Sequence, residues 1–195
     1  MVQLRKILCI GNSHTAGFPQ FDPHFGGNPK STYEFWLEVD LLKRFPDFSF
    51  ELDNEGICGE FSSDILRRLL IIPNLNQYSC VLLWGGANDI GMGRQIEDIW
   101  QTIEQAFQYC NSTQIPCFVL TIPPMNIGGL GKHVRNLNQL ILSNLDSYVI
   151  DVYPSLSEEG RLKPRCGVGD GVHLSVQGYK TVAKVAFLSL VEFFT

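Results

Sequence analysis

Four short polar clusters in the 195-residue chain carry the side chains that could do chemistry. They are Gly11-Asn12-Ser13 and residues 54–59, 86–89 and 170–173. Acyl transfer by a serine needs a base that takes the hydroxyl proton, a carboxylate that orients the base, and donors that face the developing oxyanion. The four clusters together contain all of these groups, so acyl transfer is the chemistry that they predict.

Each role has a candidate residue. Ser13 is the candidate nucleophile and His173 the candidate base. Asp170 lies three residues before His173, so its carboxylate can reach the imidazole if the loop enters a helical turn. The backbone amides of Ser13 and Gly59, with the side-chain amide of Asn88, are the candidate oxyanion donors. Each of these residues also has a purely structural interpretation, because serine and aspartate cap helices, glycine permits turns and asparagine shapes loops.

A parallel sheet would bring these clusters together. Apolar runs and alternating patterns predict strands at residues 4–10, 48–52, 80–84, 115–122 and 148–153. Three of the clusters directly follow the first three strands. Because ligands gather outside the carboxyl ends of the strands in open α/β sheets, we expect the clusters to share one edge.

Helical spacing of apolar residues fills the intervals between these strands. It predicts helices that start at a capping box over residues 31–34, at a cap on Ser62 or Ser63, near residues 96 and 134, and at about Ser175. Strands that alternate with helices indicate right-handed crossovers. The sequence therefore predicts one domain over residues 1–195, a doubly wound five-stranded parallel sheet of flavodoxin-like order 2-1-3-4-5 with helices on both faces.

Composition excludes several other classes of function. A net charge of −5 argues against nucleic acid as a partner, and no run of 18 apolar residues predicts a transmembrane segment. The six cysteines form no Cys-x-x-Cys pair, so we expect no structural metal site. We find no export signal, which predicts reduced thiols and a cytoplasmic location. The oligomeric state stays open.

The motifs resemble those of the SGNH (GDSL) hydrolase family. The matching blocks, in the order of the family, are Gly11-Asn12-Ser13, Asn54-x-Gly56-Ile57-x-Gly59, Gly86-x-Asn88-Asp89 and Asp170-x-x-His173. The resemblance spans nearly the whole chain. It implies an esterase that acts on small-molecule carboxylic esters through an acyl-enzyme, without a metal or an organic cofactor. It also implies Ser13 as nucleophile, Asp170 and His173 as its triad partners, and Gly59 and Asn88 as oxyanion donors.

One position departs from the pattern of the family, which usually has aspartate where this chain has Asn12. The amide keeps one acceptor but loses the charge, so the resemblance implies a weaker supporting hydrogen bond and reduced or tuned activity. Asp89 is expected to have a structural role, as a cap or as a partner of the Asn12 side chain. Two alternatives remain open: a binding protein of this fold that has lost turnover, supported only by Asn12, and a carbohydrate deacetylase or lysophospholipase.

Overall fold

The computed structural model describes residues 2–195 and is built on a central sheet of five parallel strands. The strands are β1 (Gln3–Gly11), β2 (Phe48–Gly56), β3 (Cys80–Trp84), β4 (Cys117–Leu120) and β5 (Val149–Ile150). Their order is β2-β1-β3-β4-β5, and every neighbouring pair is parallel. The predicted fold class and strand order are confirmed.

Among residues 2–195, six α-helices lie between the strands of the sheet and two follow the last strand. They are α1 (Ser13–Ala16), α2 (Tyr33–Arg44), α3 (Ser62–Ile71), α4 (Ala87–Gly91), α5 (Ile96–Ser112), α6 (Gly131–Leu145), α7 (Tyr153–Leu156) and α8 (Val176–Phe194). The five long helices lie where apolar spacing predicted them. The one-turn helices α1, α4 and α7 were not predicted, because four or five residues are too few to show a helical period.

The sheet has a buried apolar layer on each face. Side chains alternate along a strand, so Leu8 and Ile10 of β1 face one layer while Ile7 and Cys9 face the other. Helices α3, α5 and α6 cover the first layer, and α2 and α8 cover the second. Both faces are therefore packed, which explains why β1 and β3 are continuously apolar over their buried residues.

The register of the sheet aligns the ends of its three central strands. Gly11 at the end of β1 pairs with Gly56 at the end of β2 on one side and with Trp84 at the end of β3 on the other. The turns that follow the three strands therefore leave the sheet at the same level. This alignment is what allows residues far apart in the sequence to meet at one edge.

The last two strands along the chain, β4 and β5, are shorter than the sequence predicted. The predicted strand at residues 115–122 pairs only over Cys117–Leu120, and the one at residues 148–153 only over Val149–Ile150. The ladder between them holds two residue pairs, Val119 with Val149 and Leu120 with Ile150. Apolar runs do not report where neighbours stop pairing, so the strand ends were overestimated.

The predicted capping box at residues 31–34 is wrong. Thr32 caps α2, and its Oγ1 accepts a hydrogen bond from the amide of Phe35 at 3.3 Å. Ser31 belongs to a preceding 3₁₀ turn and donates through Oγ to Gln20 Oε1 at 2.7 Å. The extra turn shifts the start of the helix by one residue, so Glu34 cannot reach back to the amide that the box requires.

The cap of α3 also differs from its prediction. Neither Ser62 nor Ser63 is the N-cap; Phe61 occupies that position, and Asp64 Oδ2 accepts from the Phe61 amide at 3.2 Å. Ser62 is the first helical residue and donates to Asp89, which lies 27 positions further along the chain. A tertiary contact therefore replaces the local cap.

Two short antiparallel strand pairs lie outside the main sheet. Phe21–Asp22 pairs with Gly26–Gly27 in the loop between α1 and α2, and Ser157–Glu158 pairs with Arg161–Leu162 after α7. Both pairs belong to connections between larger elements. Of the helices in residues 2–195, none has the length and apolar character needed to cross a membrane.

Candidate active site

The turn from β1 into α1 presents Ser13 at the edge of the sheet. Asn12 caps the short helix, and its Oδ1 accepts from the amide of His14 at 3.1 Å. A Cβ on Gly11 would overlap Thr15 Oγ1 and the carbonyl oxygen of Trp84, so only glycine fits where β1 meets this turn. Ser13 is 5% exposed and lies in a turn whose residues are all buried.

Three side chains from the two ends of the chain form a continuous hydrogen-bonded line. Ser13 Oγ lies 3.1 Å from His173 Nε2, and His173 Nδ1 lies 2.6 Å from Asp170 Oδ2. An ionised carboxylate can only accept, so the neutral imidazole carries its proton on Nδ1 and Nε2 accepts from the Ser13 hydroxyl. Such a line can take a proton from Ser13 and hold it on the imidazole.

The carboxyl group of Asp170 is kept ionised by its hydrogen bonds. Burial by itself would raise its pKa, but the amides of Val172 at 2.9 Å and His173 at 2.8 Å, with the His173 ring, together lower the pKa below its usual range. Asp170 is therefore negatively charged at neutral pH. Its charge stabilises an imidazolium on His173.

The loop of residues 170–173 is fixed by contacts from other elements. The amide of Asn126 donates to the carbonyl of Gly171 at 2.7 Å. His14 Nε2 donates to the carbonyl of Val172 at 3.1 Å. These bonds tie the loop both to the segment after β4 and to α1. The position of His173 relative to Ser13 is therefore set by more than their own hydrogen bond.

His14 lies next to the candidate nucleophile in sequence, a position that by itself predicts only a lining residue of the pocket. Its ring is 1% exposed and lies 5.1 Å from the Trp84 ring and 5.8 Å from the His173 ring, measured between centroids. Burial lowers the pKa of His14 to about 4, against a smaller opposing effect of its bond to Val172. His14 is therefore neutral near pH 7 and packs behind His173 without adding charge. No local signal marks this role, because it depends on where the 170–173 loop folds back.

The candidate oxyanion donors lie in the turns after β1, β2 and β3. Within residues 2–195, the amides of Ser13 and Gly59 have no hydrogen-bond acceptor, and Gly59 has a φ of +84° that favours glycine. Asn88 Nδ2 donates one proton to the carbonyl of Glu60 at 2.8 Å, which leaves its second N–H proton available. Asn88 is thus attached to the same turn that carries Gly59.

Arg68 fixes the end of β2 and the turn of residues 57–60 that follows it, a role that the sequence analysis missed. Its Nε and Nη2 donate to the Glu60 carboxylate at 2.7–3.0 Å. Nη2 also donates to the carbonyl oxygens of Gly11 at 3.2 Å and Glu55 at 2.9 Å. One guanidinium therefore joins the end of β1 to the end of β2 and to the turn that carries Gly59. In sequence, Arg68 resembles any charged residue on an amphipathic helix.

Asp89 links α3 to the turn after β3. Its Oδ2 accepts from the amide of Ser62 at 2.8 Å, and its Oδ1 accepts from Ser62 Oγ and from Arg94 Nη1, both at 3.0 Å. Asp89 therefore binds the N-terminal residue of α3. Asn12 is not among these partners, and its Oδ1 accepts instead from the His14 amide.

A cavity of about 350 Å³ opens beside Asp170 and is lined in part by Asn126, Leu162 and Gly171. Ser13 and His173 are not among the residues that line it.

Residues 2–195 contain no group of three or more His, Cys, Asp or Glu side chains arranged to hold a metal ion.

Solved structures of similar fold come from several bacteria. A lipase/acylhydrolase from Enterococcus faecalis is 20% identical with a TM-score of 0.80, over 97% of this chain and 96% of that chain. A member of the lipolytic protein G-D-S-L family from Veillonella parvula is 21% identical with a TM-score of 0.73, over 97% and 98% of the two chains. A mutant acetyl-xylooligosaccharide esterase from Geobacillus is 16% identical with a TM-score of 0.79, over 97% and 95%.

These structural similarities establish the fold, and the sequence establishes the family. No curated protein matches the chain in sequence. The GDSL-like lipase/acylhydrolase family matches residues 9–181, from the last part of β1 into α8. That match covers most of the chain and includes all four polar clusters. The chain therefore belongs to the GDSL-like lipase/acylhydrolase family and is a hydrolase.

Proposed function

We propose that the protein is a serine esterase that hydrolyses small-molecule carboxylic esters through an acyl-enzyme. The observation that carries this proposal is the line of hydrogen bonds from Ser13 Oγ to His173 Nε2 at 3.1 Å and from His173 Nδ1 to Asp170 Oδ2 at 2.6 Å. Ser13 Oγ attacks the ester carbonyl carbon while His173 Nε2 takes the hydroxyl proton. Asp170 stabilises the imidazolium that forms.

The tetrahedral intermediate places a negative charge on the former carbonyl oxygen. The Ser13 and Gly59 amides and the second N–H of Asn88 donate to that oxygen. Support for this assignment comes from the free amides of Ser13 and Gly59 and from the bond that joins Asn88 to the same turn. Removal of one such donor from an oxyanion site costs about 10²–10³ in rate.

The acyl-enzyme is then hydrolysed by the same groups in reverse. His173 first gives its proton to the departing alcohol and then accepts a proton from water, which attacks the acyl carbonyl. Collapse of the second intermediate breaks the bond to Ser13 Oγ, which takes the proton back from His173, and releases the acid. Each of these steps uses only water and groups of this chain, so we propose an enzyme without a cofactor.

The test combines covalent labelling with turnover. We expect a fluorophosphonate probe to label Ser13 in the folded protein and p-nitrophenyl acetate to be hydrolysed. The Ser13→Ala variant should lose both signals, while Ser63→Ala, at an exposed serine of α3, keeps both. Labelling at another residue, or turnover that survives in Ser13→Ala, would contradict the proposal. A folded protein that neither labels nor turns over would instead support the binding-protein alternative.

We also propose that the protein works in the cytoplasm. All six cysteines are free thiols, and five of them are buried. Free thiols are typical of reducing compartments. Recovery of the protein in the cytosolic fraction of its source cells would support this location, and recovery outside the cytoplasmic membrane would contradict it.

A further inference from the structure

We propose that Phe18 forms the wall against which the alcohol part of the ester packs, so that the enzyme prefers esters of apolar alcohols. This inference rests on the proposed esterase function, because it concerns the substrate of the same site. The additional claim is that the Phe18 side chain selects the alcohol. It predicts a substrate class that the motifs do not show.

The ring of Phe18 lies directly against the candidate base. Its centroid is 4.6 Å from the centroid of the His173 ring, and the two ring planes meet at 63°, an edge-to-face contact. Phe18 is nevertheless 40% exposed. A large apolar ring that is partly open to solvent beside the imidazole offers surface that a ligand can cover.

The backbone on both sides of the ring is fixed relative to Ser13. The amide of Phe18 donates to the carbonyl oxygen of Ser13 at 3.1 Å, and the carbonyl of Phe18 accepts from the Tyr179 hydroxyl at 3.2 Å. Tyr179 is fully buried, and burial raises the pKa of its hydroxyl, which therefore keeps its proton as a donor. The wall is thus held in place before a substrate arrives, so little ordering is needed on binding.

The path of the proton decides which part of the ester meets this wall. When the first intermediate collapses, the bond between the acyl carbon and the alcohol oxygen breaks. The proton on His173 Nε2 then moves to that oxygen, and the neutral alcohol leaves. The alcohol oxygen must therefore lie beside Nε2, and its carbon chain extends next to the imidazole. Because Phe18 packs on that imidazole, the alcohol chain comes within its reach, whereas the carbonyl oxygen points to the donors at Gly59 and Asn88.

A purely structural role for Phe18 makes a different prediction. If the ring only orients His173, its loss should lower kcat by the same factor for every ester. If the ring instead faced the acyl chain, its loss should depend on acyl length. Only an alcohol wall makes the loss grow with the size of the alcohol at constant acyl group.

The experiment compares two ester series in a pH-stat. One series contains the acetates of methanol, 1-butanol and 1-hexanol, and the other the methyl esters of acetic, butyric and hexanoic acids. For Phe18→Ala we expect kcat/KM to fall about tenfold for hexyl acetate and less than twofold for methyl acetate. We expect the preference among the methyl esters to stay as in the wild type.

Two further variants make the result decisive. Phe18→Leu keeps an apolar side chain of shorter reach, so its kcat/KM for hexyl acetate should lie between those of the wild type and Phe18→Ala. This variant also provides the test if Phe18→Ala folds poorly. Leu42→Ala removes an apolar side chain of the same 40% exposure from α2 and should change neither series. A uniform loss across all esters, or a loss that follows acyl length, overturns the alcohol wall. If the wild type hydrolyses no ester, or Ser13→Ala keeps the activity, the proposed function fails instead.

Discussion

The Asp170 carboxylate accepts three hydrogen bonds from a single turn of the chain, and the one from His173 Nδ1 is 2.6 Å long. The other two come from the amides of Val172 and His173. The carboxylate therefore fixes both the backbone and the ring of the same histidine. This pair is local in sequence, whereas the contact between His173 and Ser13 spans 160 positions.

Replacement of Asp170 by asparagine should separate catalysis from folding. We expect Asp170→Asn to lower kcat by about 10²–10⁴, because an amide no longer selects the Nδ1 proton or stabilises the imidazolium. The midpoint of urea unfolding should change little, since Asp170 is partly exposed. Asp40→Asn, at an aspartate of similar exposure on α2, is the control and should keep full activity. Unchanged kcat in Asp170→Asn would remove Asp170 from the site.

Buried neutral His14 should make the protein sensitive to acid. Its pKa is about 4 in the folded state against 6.5 for a free histidine, so the unfolded chain binds the proton first as pH falls. The contribution of neutral His14 to the free energy of unfolding is complete above pH 6.5. It is lost between pH 6.5 and 4, by about 3 kcal/mol in total. His14→Gln keeps a donor toward the carbonyl of Val172 but cannot titrate. In urea unfolding at steps from pH 7 to 4, the free energy of unfolding of the wild type should fall by this amount relative to that of the variant.

Glu34 should change the pH dependence of stability in the direction opposite to His14, so that stability falls as pH rises. Burial raises the pKa of Glu34 well above 4.5, against smaller opposing effects of nearby groups of Tyr33 and of its own backbone. Within residues 2–195, neither carboxyl oxygen has a partner at the distance and angle of a hydrogen bond. The folded state therefore keeps a proton that the unfolded state loses above pH 4.5, so stability falls as pH rises from there toward the folded pKa. The free energy of unfolding of Glu34→Gln, relative to that of the wild type, should increase by about 1.4 kcal/mol for each pH unit in that window.

The matching control is Glu192→Gln, at an exposed position near the end of α8. Its unfolding free energy should follow the wild type across the same pH series. A Glu34→Gln curve that also runs parallel to the wild type would show that Glu34 is ionised in the folded protein.

Arg68 should be required for both stability and rate. The side chain of Arg68 is 18% exposed and that of Glu60 is 14% exposed. Because Arg68→Ala leaves a largely buried carboxylate unpaired, it should lower the free energy of unfolding by about 2–4 kcal/mol. We expect kcat for ester hydrolysis to fall about tenfold as well, because the turn that carries Gly59 loses its attachment to β1. Arg68→Lys should recover little of either loss, since an ammonium cannot bind the carboxylate and two carbonyls in the same geometry.

Arg67→Ala is the control for that measurement. Arg67 is 74% exposed and pairs with Asp64 one helical turn away, so its loss should change stability by less than about 0.5 kcal/mol and leave kcat unchanged. If Arg68→Ala loses stability but keeps wild-type kcat, Arg68 is structural only.

Asn12 should tune activity without controlling it. Its Oδ1 accepts from the amide of His14, and a carboxylate in its place would accept the same bond more strongly. We expect Asn12→Asp to keep kcat within about tenfold of the wild type, and Asn12→Ala to lose about 0.5–2 kcal/mol of stability with the cap. Ester turnover and urea unfolding of both variants test this, and a loss of more than a hundredfold in Asn12→Asp would assign Asn12 a direct catalytic role.

The sequence determined the elements and the order in which the clusters follow them. Apolar runs and helical periods report local burial, so the strand order and the five long helices could be predicted, as could the proximity of Asp170 to His173. Local patterns misjudged features that depend on neighbours. The cap of α2 lies at Thr32 because of the preceding 3₁₀ turn, and the cap of α3 depends on Asp89.

Only the tertiary structure decided which side chains meet at the carboxyl edge. Arg68, Phe18 and His14 each contact a segment that is distant in sequence: Arg68 the end of β1, and the other two the loop of residues 170–173. Their residue types are ordinary for a helix face, a loop and a buried turn, so no local pattern distinguishes them. Their contacts arise because the paired ends of β1, β2 and β3 leave the sheet at one level and the loop before α8 brings His173 back to Ser13.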